Sequence, residues 1–151
     1  KVAYLKFERT HRNKQAYSTL WGQIIEFAKK YNLTDKGFKY VSISLDSLDI
    51  TEIDKCRFLI GITVPYSMEV PKGFGTLNIQ AGLYSVFNIK GNYQELNKIY
   101  RNIYLDWLPN SKYRLREQMT FELYANTPGK TSTEELVTEI YLPIEAKQKI
   151  K

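Results

Sequence analysis

The sequence predicts an α+β domain: two tandem β-α-β-β units with pseudo-two-fold symmetry, an antiparallel-rich sheet, two main helices and a central cleft. Three observations carry that expectation. The order strand, helix, strand, strand occurs twice along the chain. Each unit holds one stripe of apolar residues at three- and four-residue steps, which marks an amphipathic helix. The two stripes also align at a constant offset, Tyr17 with Tyr93, Leu20 with Leu96 and Tyr31 with Trp107. The repeat divides the chain at about residues 1–70 and 75–145, and leaves 146–151 as a polar tail.

In the first unit, Val2 to Arg9 alternates as a strand. Ala16, Leu20, Ile24, Phe27, Ala28 and Tyr31 trace the helix. Lys29 and Lys30 sit in its last turn, where cations complement the dipole, and Asn32 is the expected stop. Tyr40 to Leu45 and Arg57 to Pro65 read as strands. The acidic, polar stretch from Asp46 to Lys55 joins them as a loop.

In the second unit, Gly75 to Ile89 is strand material broken at Ala81-Gly82. Lys90-Gly91-Asn92 is a turn, with Asn92 a candidate N-cap. Leu96, Ile99, Tyr100, Ile103 and Trp107 form the second stripe, and Pro109-Asn110-Ser111 ends it. Met119 to Ala125 is a strand, Asn126 to Lys130 a turn-rich loop, and Leu136 to Ile144 the last strand.

The chain has 151 residues, enough for one domain with a real core. Its 12 Tyr, 7 Phe and 2 Trp stand out, because tyrosine suits pocket walls as well as cores. The net charge of +6 permits weak attraction to nucleic acid. The basic residues are scattered, however, and the densest group (Lys112, Arg114, Arg116) reads as a solvated strand or loop face. Cys56 is alone, which excludes a disulfide framework and fits a reducing cytoplasm. His11 is the only histidine, and no metal-ligand spacing or His-dependent triad exists. Gly73-Phe74-Gly75 is a turn, not a dinucleotide fingerprint. No cofactor is expected, and no stretch is long and apolar enough to span a membrane. The chain opens abruptly into a strand, which reads as a domain from a longer protein.

Glu122 is the most informative residue. In Met119-Thr120-Phe121-Glu122-Leu123-Tyr124, side chains alternate faces, so Glu122 shares a face with Thr120 and Tyr124. A carboxylate beside a phenol either lies on a solvated sheet face or fixes a ligand in an aromatic cleft.

The residues also carry a resemblance along nearly the whole chain. It runs through Arg57 and the strand after it, Ala81-Gly82-Leu83-Tyr84 with Val86-Phe87, and Gly91-Asn92-Tyr93. It continues through Tyr104-Leu105-Asp106-Trp107-Leu108-Pro109-Asn110-Ser111, Phe121-Glu122-Leu123-Tyr124 and Thr138-Glu139-Ile140-Tyr141-Leu142-Pro143-Ile144. In these the chain resembles the GyrI-like small-molecule-binding domain, also found as the C-terminal effector-binding domain of AraC-type transcription regulators. The resemblance implies a cleft that takes small, often aromatic or cationic, molecules. It implies ligand-binding roles for Glu122, Trp107, Tyr84, Tyr124, Glu139 and Tyr141; in the binding reading no catalytic residue is expected. The glycine that relatives often carry before the first helix is missing from His11 to Tyr17.

Three functions follow from this resemblance. The first is a ligand-binding module that controls an attached DNA-binding domain not contained in this chain. The second is a hydrolase of strained electrophilic rings with Glu122 as general base. The third is a gyrase-inhibitor-like protein-interaction domain. The first is the expected function.

Overall fold

The computed structural model describes residues 1–8, 14–46, 57–91, 96–126 and 135–147. His11, Cys56, Asn92 and Tyr93 lie outside the described residues, as do most of the two loops expected after Asp46 and Asn126. The strands are β1 (Val2–Glu8), β2 (Tyr40–Ser44), β3 (Arg57–Thr63), β4 (Gly75–Leu77), β5 (Tyr84–Lys90), β6 (Tyr113–Leu115), β7 (Phe121–Tyr124) and β8 (Val137–Ala146). They form one antiparallel sheet in the order β4-β1-β3-β2-β7-β8-β5, with β6 also paired to β8.

Apart from β4 at one edge, that order is a palindrome of two units. In the first, β1-α1-β2-β3 folds with β3 between β1 and β2. In the second, β5-α2-β7-β8 folds with β8 between β5 and β7, and the units meet where β2 pairs β7. β1 (2–8) and β5 (84–90) have equal length, and β3 (57–63) matches the first seven residues of β8 (137–143) at a shift of 80. The same shift carries Ser42 onto Glu122, and these two residues are directly paired across β2 and β7. The pseudo-two-fold axis therefore passes through that pair.

Helix α1 (Lys14–Lys30) buries Trp21, Ile24, Ile25 and Ala28, which recur at helical spacing, while Gln23, Glu26, Lys29 and Lys30 stay exposed. It ends where expected. Asn32 takes a left-handed φ of 52°, which asparagine tolerates, and Leu33 N–H closes on the Ala28 carbonyl. The buried stripe packs with Ala3, Tyr40, Ile60, Ile62 and Tyr124 into one core cluster. Each fully buried large apolar side chain there contributes about 1.5–3 kcal/mol.

Helix α2 (Leu96–Asn102) continues through a π-helical turn (Ile103–Trp107) into a last turn, α3 (Leu108–Asn110). Leu108 N–H reaches back five residues to the Ile103 carbonyl. Pro109 explains the widened turn, since it lacks the N–H that would serve Leu105 and its ring crowds the preceding turn. Tyr100 and Ile103 pack from this segment against Phe58, Ile140, Leu142 and Ile144 in a second cluster.

Both helices cover the sheet face that carries Tyr40, Ser42, Ile60, Glu122, Tyr124 and Ile140. The opposite face holds a third cluster of Val41, Ile43, Leu59 and Phe121, flanked by Leu77, Ile79, Tyr84 and Tyr141. Residues 78–83 run across this face from β4 at one edge to β5 at the other. Six inter-strand steps of about 4.8 Å measure roughly 29 Å along the sheet. Seven extended chain steps from Leu77 to Tyr84 reach only about 25 Å. The sheet must curl around this strap, as twisted sheets do.

Gly75 to Ile89 is thus not one broken strand but two strands at opposite sheet edges. The local alternation was legible, but the crossing was not.

Candidate functional site

Glu122 is 4% exposed. It lies on the helix-covered face at the seam between the two halves. The Tyr100 hydroxyl donates to its Oε1 at 2.6 Å and the Tyr124 hydroxyl donates to its Oε2 at 2.8 Å. Tyr124 belongs to the α1 cluster and Tyr100 to the α2 cluster. The carboxylate therefore ties the two cores together across the axis. Both of its oxygens accept from phenols, and charge-assisted bonds of this length are among the stronger ones.

Aromatic rings extend the cluster on both sides. Trp21 meets Tyr124 edge-on at 5.7 Å and Tyr40 at 6.0 Å. Burial pushes the Tyr40 phenol up from its ordinary pKa. On the other side, Tyr104 from the π-helical turn stacks on Tyr100 at 6.4 Å. π-Turns are frequent at functional sites, where they re-aim side chains.

Tyr104 opens onto a pocket of about 280 Å³, whose wall also includes Ser44, Leu115, Arg116, Gln118 and Thr120. Its origin lies in Pro143. The β7 ladder on β8 stops at Phe121–Tyr141, and β6 resumes at Leu115–Ile144. Pro143 sits in that gap, lacking the N–H another strand residue would need, and its carbonyl accepts from Arg116 N–H. Residues 116–120 leave the sheet here and form the pocket wall.

The six residues expected to bind ligand do not face one space. Glu122, Tyr124 and Trp107 are on the helix side, where Trp107 packs edge-on against Phe87 at 5.0 Å. Tyr84, Glu139 and Tyr141 are on the strap side by strand alternation and register. There Phe121 and Tyr141 stack at 4.8 Å, and Tyr84 meets Phe121 at 5.3 Å. The Tyr141 hydroxyl donates to Glu139 at 3.3 Å, and Lys39 approaches Glu139 at 3.8 Å. Burial, and after it the Glu139 carboxylate, holds the Tyr141 phenol above its ordinary pKa.

Arg116 also serves the strap side instead of a solvated face. Its guanidinium lies 4.8 Å over the Tyr84 ring and donates to the Leu83 carbonyl at 3.2 Å. It fills the space left by Gly82, where a Cβ would stand 2.7 Å from Cζ. Arg114 does read as expected, exposed and paired with Glu145 at 2.8 Å.

Sequence reasoning missed Tyr100, Tyr104 and Arg116. A signal existed for Tyr100: a tyrosine on a buried helical stripe needs a partner for its hydroxyl, and Glu122 was the acid available. Among the described residues, no group of three His, Cys, Asp or Glu side chains could hold a metal ion. No helix of the described residues is long and apolar enough to cross a membrane.

Paired half-units, a helix on each, and an acid held by phenols where the halves join make an internally repeated α+β domain. The family model for the GyrI-like small molecule binding domain matches residues 1–145, and the chain belongs to that family. No curated protein matches the sequence.

Proposed function

We propose that this domain is the effector-binding part of a bacterial transcription regulator, that its ligand is an aromatic or cationic small molecule, and that Glu122 is the polar anchor. The observation that carries this reading is the buried Glu122 carboxylate with a phenol on each oxygen. A desolvated carboxylate among aromatic rings is a good seat for a cation, because attraction strengthens as the dielectric falls and each favourable ring adds about 0.5–2 kcal/mol. The pocket beside Tyr104 is the entrance. Tyr84, Glu139 and Tyr141 lie on the opposite face of the sheet from this anchor.

In the closed arrangement the phenols occupy the acid. Ligand arrival exchanges these bonds for its own, so ligand affinity differs between closed and open states. That difference is what allows a ligand to shift a conformational equilibrium, and a separate DNA-binding domain would read the shift. A hydrolase would need a water within reach of Glu122, and phenols hold both oxygens, which favours binding over catalysis.

The test is a thermal-shift screen of wild type and Glu122→Gln against cationic dyes, neutral aromatics and anionic metabolites. The expected result is a cation-specific rise in melting point that Glu122→Gln loses while remaining folded. Equal shifts in both proteins would remove Glu122 from the site.

A further inference from the structure

We propose that the outer edge of β5 is a dimerisation edge, and that its occupant is β5 of a second copy of this chain, paired antiparallel about Phe87. This goes beyond ligand binding and does not rest on it.

β5 ends the sheet and pairs only with β8 among the described strands. The bonds from Ile144 N–H to the Leu83 carbonyl and from Gly91 N–H to the Leu136 carbonyl show that odd-numbered residues turn their backbone groups toward β8. The N–H and C=O groups of Tyr84, Val86, Asn88 and Lys90 therefore point outward. A row of this kind is a template for another strand, and proteins that stay monomeric blunt it with short strands, prolines, bulges or charges. The opposite edge is blunted, because β4 has only three residues. β5 has seven in continuous register, with no proline and one charge, Lys90, at its end. Val86 is 42% exposed on its surface.

The strand is complementary to itself. Pairing about Phe87 sets Tyr84 opposite Lys90 of the second copy and Val86 opposite Asn88. Every outward-facing residue then falls in a hydrogen-bonded pair. No two charged residues of β5 stand directly opposite each other in this register. The two Phe87 rings face each other on the helix side, each already backed by its own Trp107. A one-residue slip would set outward groups against inward ones and lose the bonds. The net charge of +6 on each copy opposes association, and salt screens that repulsion.

Sedimentation equilibrium of the 151-residue chain at low and moderate salt tests this, with Asn88→Pro and Val86→Lys as variants. Asn88→Pro removes one outward N–H and none of the bonds to β8. Val86→Lys adds a charge to an already exposed position and decides the matter if the proline perturbs folding. A wild-type dimer that tightens with salt is expected, weakened at least tenfold by Val86→Lys, with equal melting points at concentrations where both proteins are monomeric. A wild type that stays monomeric at every concentration overturns the proposal. So does a dimer that Val86→Lys leaves intact.

Discussion

Tyr100→Phe tests the central cluster most directly. The substitution removes one oxygen atom and leaves the ring that packs against Ile103 and Tyr104. What is lost is the 2.6 Å bond to Glu122 Oε1. Hydrogen bonds to charged groups contribute about 1.5–3 kcal/mol, and the burial of both residues, at 4% exposure each, puts this one toward the upper half of that range. For a domain of this size, 1 kcal/mol moves the melting point by about 2–4 °C. The expected fall is therefore roughly 5–12 °C, with a matching drop in the urea midpoint and an unchanged m-value. A double-mutant cycle with Glu122→Gln isolates the pair, and a coupling above about 0.5 kcal/mol is expected for groups in direct contact. A Tyr100→Phe variant as stable as wild type would mean that the phenol does not hold the carboxylate, and the bridge between the two cores would have to be abandoned.

Two further outcomes follow from other parts of the molecule. Gly82→Ala is expected to lose about 1–3 kcal/mol, because φ at 146° disfavours a side chain and the new Cβ meets Arg116; faster hydrogen exchange over residues 78–83 is the check. Arg57 holds Asp46 below its ordinary pKa, chiefly by a side-chain hydrogen bond. Stability from this pair is therefore present above the unfolded pKa of about 3.9 and is lost as pH falls through the lower folded value. Asp46→Asn should flatten that acid limb of a pH-dependent melting series and leave its neutral part unchanged in slope.

Most of the fold was legible because periodicity reports local burial. The stripe through Ile24, Phe27 and Ala28 and the alternation through Phe121, Glu122 and Leu123 each follow from which face the chain must bury. The repeated element order implied an antiparallel-rich sheet with one helix for each half. What local pattern cannot encode is which strands become neighbours, so the strap between β4 and β5 stayed hidden. The same holds for the site. Alternation put Glu122 and Tyr124 on one face. The donor that completes the pair, Tyr100, comes from a helix 22 residues away in sequence. Glu139 and Tyr141 could be matched to a motif, but β8 register sends them to the far side of the sheet. Arg116 looked like one more surface cation because stacking on Tyr84 leaves no trace in the residues around it.

The direct pairing of Ser42 with Glu122 has a consequence for how such a site can exist at all. Were the two halves identical chains meeting in a symmetric pair, whatever stood at the axis would stand there twice. A glutamate would face its own copy, and like charges directly opposite one another in a sheet are destabilising. Joining the halves in one polypeptide lifts that restriction. One side keeps a small hydroxyl, the other carries the acid, and a frame built on two-fold repetition ends with a single, directional charge at its centre.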